Sequence, residues 1–169
     1  MKKKIINSIF IALIMQITIP FSKAYSQSYA QQNFGVSVNV IGIIFGEYGL
    51  GINTFITPKI QIGVHSIYYE THDVFPEIEG WASEFRVNYF FAGWHRSGFY
   101  IGGAGGLESI HVKNDENSPW EDYSDPTWGV IPGYAWEINR AFTMMVGLRY
   151  GYKLGTTEFS PEVNFVMAI

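Results

Sequence analysis

The chain has 169 residues, 47% of them apolar and 17% aromatic, with a formal charge of −4 and no cysteine. That length suits one domain, and the absence of cysteine excludes disulfides and thiolate sites. Charged residues make up only 15%, against about 25% in typical soluble domains, which is little for a surface solvated by water.

Lys2, Lys3 and Lys4 open the chain, an apolar run follows from Ile5 to Phe21, and Ser22-Lys23-Ala24 is a small-x-small cleavage signature. Residues 1–24 therefore read as a secretory signal peptide; the run is barely long enough to be a membrane anchor. Ser28-Tyr29-Ala30 is a second site of the same shape. Removing residues 1–24 removes four lysines and takes the charge from −4 to −8, which argues against nucleic acid as a partner. Residues 25–32 are a short N-terminal segment, and 33–169 form the folded domain.

From Asn33 onward, period 2 recurs and no stretch keeps helical periodicity. Eight strands are expected, over 33–41, 45–56, 60–71, 80–92, 98–112, 127–138, 142–154 and 157–169. The connections after strands 2, 4 and 6 are short: 57–59, 93–97 and 139–141. Long polar loops, "THDVFPEIEG" and "KNDENSPWEDYSDPT", follow strands 3 and 5. Connections after strands 1 and 7 read as tight. A type II′ turn at Gly155-Thr156 would pair Lys153 with Glu158, Arg149 with Glu162 and Phe142 with Ile169. A three-residue turn at 57–59 would set Ile56 opposite Ile60 and Ile52 opposite Val64.

One face of these strands carries Val36, Val38, Leu50, Ile52, Val64, Phe85, Val87, Trp128, Val130, Trp136, Leu148 and Phe159. The other carries glycines together with Glu47, Glu84, Arg86, Glu108, Glu137, Arg149, Lys153, Glu158 and Glu162. An eight-stranded barrel is just wide enough inside to be filled by side chains. The bulky apolar set therefore faces outward to lipid, and the ionised set faces inward as a charge-paired plug. The expected fold class is all-β, an eight-stranded antiparallel up-and-down transmembrane β-barrel. Strand 8 closes on strand 1 because every amide in hydrocarbon needs a partner. Trp128 and Trp136 bracket strand 6 and, at the tilt of a barrel strand, stand on the order of 20 Å apart in height, close to the apolar band between aromatic girdles.

His65, His72, His95 and His111 have no metal-ligand spacing. Asp115, Glu116, Glu121, Asp122 and Asp125 lack the spacing and glycine of a calcium loop. No metal or cofactor is expected. Trp120 and Tyr123, in the longest loop, are candidates for contact with an extracellular partner. His95-Arg96-Ser97 with Glu108 resembles the His-x-Ser plus Glu of the PagL-type lipid A deacylases. Here the His and Ser fall in a short turn, at the end opposite the outer leaflet, so no catalysis is expected.

The mature chain resembles the small OmpX and OmpA-transmembrane-type barrels. "VSVNVIGIIFGEYGLGINTFITPKIQIGVHSIYY" and "WGVIPGYAWEINRAFTMMVGLRYGYKLG" are similar to an uncharacterised outer-membrane β-barrel domain family. One departure is the last residue, Ile169, where such barrels usually carry an aromatic. The resemblance implies integral placement in the outer membrane of a Gram-negative-type bacterium. The partners it implies are outer-membrane lipids, lipopolysaccharide and the barrel-assembly machinery, with the protein itself a monomer. The role expected is structural, adhesive or surface-interacting, through the extracellular loops. The alternatives are an outer-leaflet lipid-modifying enzyme and a small OmpW-like transporter of apolar ligands. Intact-mass measurement of the protein from a membrane fraction should find a chain beginning at Tyr25 or Gln31; a chain retaining Lys2–Lys4 would contradict the signal peptide.

Overall fold

The computed structural model describes residues 34–44, 46–71, 77–94, 96–114 and 117–169. The expected signal peptide and the 25–32 segment lie outside the described residues. The strands are β1 (Phe34–Asn39), β2 (Glu47–Thr57), β3 (Ile60–Thr71), β4 (Glu77–Phe90), β5 (Gly98–Lys113), β6 (Glu121–Asn139), β7 (Phe142–Lys153) and β8 (Thr156–Ala168). Each pairs antiparallel with its neighbours in sequence, and β8 returns to β1, closing the barrel. Closure leaves no open edge strand at the ends of the sheet.

Burial alternates along the strands with period 2. On the outside, Leu50, Ile52, Val64, Phe85, Ile101, Val130 and Leu148 are all exposed, while Asn53, Gln61, Glu84, Arg86, Arg149 and Glu162 are buried inside. A water-soluble protein does not arrange its side chains so; lipid is the solvent that favours it. Rings gather in two bands on this exterior. Phe99, Tyr134 and Trp136 contact one another near the short-turn end, and Trp128, Tyr150 and Phe159 do so near the loop end.

Side chains that cap their own turns brace two of the short connections. Thr57 Oγ1 accepts from the amides of Lys59 and Ile60 at 3.2 and 3.0 Å. Asn139 Oδ1 accepts from those of Ala141 and Phe142 at 2.8 and 3.0 Å. Ile52 pairs with Val64 as expected, but Ile56 drops out of the ladder at an irregularity and Thr57 takes Ile60.

Three expectations need correction. The β7–β8 turn is Leu154-Gly155, with φ of 54° and 73°, so both central residues are left-handed as in type I′. Pairing shifts by two residues: Lys153 meets Thr156, Arg149 meets Ser160 and Phe142 meets Met167. A shift of two keeps every side chain on its face, so the inside-outside assignment survives the error. The left-handed Leu154 is a strained choice, offset by packing its side chain onto Ile67, Tyr69, Ala82 and Ile110.

Second, the chain after β1 does not turn tightly. It forms a short helix, α1 (Val40–Ile44), begun by Asn39 Oδ1 accepting from the Gly42 amide at 3.2 Å. Third, strand extends into both long polar loops. β4 starts at Glu77 and β6 at Glu121, so Ile78 pairs with Val112 and Val112 with Glu121.

By its register Leu148 faces lipid midway between the heights of Trp128 and Trp136. Leu148→Arg should destabilise the barrel by about 2–4 kcal/mol, and Tyr152→Arg, near the interface, by about 0–1 kcal/mol. Reversible urea titration in vesicles measures both; equal costs would place the bilayer wrongly.

Candidate functional site

The lumen is filled in layers. At the short-turn end Phe55, Phe90, Trp94, Tyr100, Ile131, Ala135, Met145 and Val166 form an apolar plug. Phe55 stacks on Trp94 with centroids 4.3 Å apart, and Phe90 meets Trp94 at 5.3 Å. At the loop end Ile67, Tyr69, Ala82 and Ile110 form a second plug, against which Ile78, Val112 and Leu154 pack.

Between the plugs lies the ionic layer. Glu84, on β4, receives Arg149 Nη1 at 2.9 Å and Nη2 at 2.6 Å. The same carboxylate accepts Arg86 Nη2 at 2.9 Å and Thr127 Oγ1 at 3.1 Å. Arg86 Nη1 donates to Glu162 at 2.7 Å, and Arg149 stands 3.7 Å from Glu162. Two guanidinium groups thus neutralise two carboxylates across strands β4, β7 and β8. Gly129 makes room: a Cβ there would lie 2.7 Å from Arg149 Nε. Beneath the ions is a neutral polar belt. Asn53 donates to Ser37 Oγ at 2.9 Å, His65 Nε2 donates to Asn53 Oδ1 at 3.1 Å, and Asn88 donates to Gln61 Oε1 at 2.7 Å. The space left in this belt is a cavity of about 10 Å³, enough for roughly one water molecule.

The nine residues expected to form one interior network are not brought together as one. Glu84, Arg86, Arg149 and Glu162 join in the centre. Lys153 sits nearer the loop end and meets Glu47, not Glu158, at 2.9 and 2.8 Å, with its ammonium 5.1 Å from the Tyr69 ring. Glu108 is buried on β5 nearer the loop end, alongside Ala82 and Asp125. Glu137 is half-buried, and its amide donates to Ser97 Oγ at 3.1 Å near the short-turn end. Glu158 is exposed, beyond the buried part of β8. The two-residue register error explains Glu158: it was placed opposite Lys153 and lies opposite Gly151.

Sequence reasoning missed the apolar plugs. The signal was parity: Phe55 continues the inward series of Gly51 and Asn53, Phe90 that of Arg86 and Asn88, and Met145 that of Gly147 and Arg149.

Above the loop-end girdle, β3 to β6 continue as a tall wall. Its outward side changes within two residues. The row Tyr68, Trp81, Ser109 and Ser124 is followed by Glu70, Glu79, His111 and Asp122. His111 Nδ1 lies 2.5 Å from Asp122 Oδ1, both exposed. On the lumen side Tyr123 pairs with Ile110, and its hydroxyl donates to Glu121 at 2.5 Å; that bond holds the phenol above its usual range. Trp120 and Tyr123, placed in a loop from sequence, lie just before and within β6, 44% and 41% exposed.

Ser97 lies at the short-turn end, eleven residues along the chain from Glu108, a separation on the order of 30 Å. His95, His72, Asp115 and Glu116 lie outside the described residues. Among the described residues no group of three His, Asp or Glu is placed to hold a metal.

No protein-family model and no curated protein sequence matches the chain. Solved structures do. The N-terminal β-barrel domain of OprF from Pseudomonas aeruginosa is 16% identical with a TM-score of 0.59, over 80% of this chain and 96% of that one. Neisserial surface protein A is 15% identical with a TM-score of 0.58, over 81% and 96%. The fold is that of a small outer-membrane β-barrel. The Yersinia pestis outer membrane protein Ail, in a bilayer nanodisc, is 10% identical with a TM-score of 0.45, over 80% and 98%.

Glu84 bonds to both arginines, so Glu84→Ala leaves two buried guanidinium groups facing one remaining carboxylate. It should cost about 3–5 kcal/mol in unfolding free energy. Asp122→Asn, in the exposed pair, should cost less than about 1 kcal/mol. Comparable values for the two would mean the lumen is wet.

Proposed function

We propose that the chain is an integral outer-membrane barrel without transport or catalytic activity, acting at the cell surface through its tall wall. The short-turn end, where Phe34 and Ile169 lie, faces the periplasm, and α1, the β5–β6 tip and the β7–β8 turn face outward. One observation carries this reading: the lumen is plugged at two levels with an ionic layer between, while four strands rise beyond the girdle. A sealed lumen gives no route to a solute. A rigid wall with Tyr123 on its strand and Trp120 just before it gives a partner aromatic area at low entropic cost. The surrounding partners are outer-leaflet lipids and lipopolysaccharide, assembly is by the outer-membrane machinery, and the barrel is a monomer.

The mature protein should sediment with outer membranes and migrate faster unheated than boiled on a detergent gel. In planar bilayers it should give no unit conductance. The Trp120→Ala/Tyr123→Ala protein should keep the gel shift while bacteria bearing it lose most of their adhesion to matrix-coated surfaces. Recovery in the soluble fraction, or step conductances, would overturn the reading; undiminished adhesion would remove the wall from it.

A further inference from the structure

The barrel wall is not equally complete at all heights. The β1–β8 ladder runs from Gly35–Ala168 to Asn39–Asn164 and stops, because β1 gives way to α1. Above it, Thr156–Val163 is bonded to β7, and among the described residues no strand pairs with its other edge. α1 lies against both β2 and β8. It sits tight on β2, since a Cβ on Gly42 would lie 2.8 Å from the Glu47 carbonyl oxygen.

Pro161 falls within this stretch. The Ile169 amide donates to Phe34 on β1, and the Ala168 amide donates to Ala141 on the β7 side. Counting back in twos along β8, whose ladder with β7 has no irregularity, the nitrogen of residue 161 points to the β1 side. The residue that cannot donate stands at the edge where no strand accepts, the position where proline is tolerated in sheets.

The surface around this seam is apolar. Val40 and Ile44, one helical turn apart on α1, are exposed, Ile44 to 77%. The outward face of the adjoining part of β8 carries Phe159, Pro161 and Val163, with Phe159 66% exposed and its ring 4.7 Å from that of Tyr150 in the loop-end girdle. The seam therefore lies just below that girdle. Such an edge takes either another strand or something that needs no hydrogen bond. Pro161 offers a partner strand a pyrrolidine ring in place of a donor, so a second copy would pair poorly. An acyl chain needs no donor and gains from apolar contact along the whole seam.

We infer that the apolar seam between α1 and the outer half of β8 seats one acyl chain of an outer-leaflet lipid. This rests on the outer-membrane reading above, in which the loop end faces the outer leaflet. The barrel is refolded into vesicles of equal dimyristoyl phosphatidylcholine and phosphatidylglycerol, then released from detergent in a mass spectrometer. The wild type should retain one lipid per barrel, of either headgroup. Val40→Ser/Ile44→Ser should lose at least about tenfold in occupancy, while Leu148→Ser, on the lipid face of β7, should not. Ile44→Cys provides the control for folding, since the chain has no other cysteine. Unlabelled it keeps its lipid; labelled after refolding with a bulky maleimide, the same barrel loses it. A heat-modifiable, membrane-inserted barrel that retains no lipid, or equal retention in every variant, overturns the inference and leaves the outer-membrane reading standing. A retained second copy in place of lipid also overturns it, by making the edge a strand-pairing site.

Discussion

In hydrocarbon an amide without a partner costs several kcal/mol, and there is no water to supply one. That constraint decides most of this molecule. It makes the sheet close, and with eight antiparallel strands it brings Phe34 and Ala168 to the same end. It also bears on the place where the β1–β8 ladder stops short. α1 takes a local partner for the Gly42 amide from the Asn39 side chain, and Pro161 removes a donor from the facing edge. The two local choices are independent in sequence and reduce the same cost.

Closure fixes the diameter, and the diameter decides what fills the inside. Glycines on β2, β5, β6 and β7 make room for long side chains from nearby strands, so Arg149 lies over Gly129 and Tyr100 reaches toward Gly133 and Gly147. The ionic layer does not by itself imply high stability, because desolvating four charges is expensive. Its contribution is specificity. Arg149 on β7 meets Glu84 on β4 across the lumen, and a slip of β7 would carry the guanidinium away from both carboxylates. Alternation cannot distinguish registers two residues apart; a charge network can.

That distinction explains what was legible beforehand. Period 2 placed strands within a few residues and sorted Leu148 from Arg149, since lipid on one side and a narrow lumen on the other punish any exchange. It did not place the β7–β8 turn, because turns at Leu154-Gly155 and Gly155-Thr156 give the same inward and outward sets. It missed α1: Val40 and Ile41, β-branched, read as the end of strand 1, and 42–44 as a tight connection. The helix forms where the Asn39 cap and the close approach of Gly42 to β2 outweigh that preference. Of the site, the central carboxylates and guanidinium groups were legible by parity. Their partners were not, since pairing across a lumen depends on strands far apart in sequence: Arg86 and Glu162 are 76 residues apart.

The polar segments after strands 3 and 5 read as loops because their outward residues are charged, and within a bilayer-spanning strand that would be untenable. The structure resolves the conflict by height. Outward residues are aromatic at Tyr68 and Trp81 and ionic two residues later, at Glu70 and Glu79, while the inward residues Ile110 and Val112 stay apolar through the change. The strands therefore continue unbroken while the solvent outside them changes from lipid to water. A segment whose outer face turns polar while its inner face stays greasy has left the membrane without leaving the sheet. The surface it presents is thus held by the same ladder that closes the barrel, and Tyr123 stands on a strand instead of on a free loop.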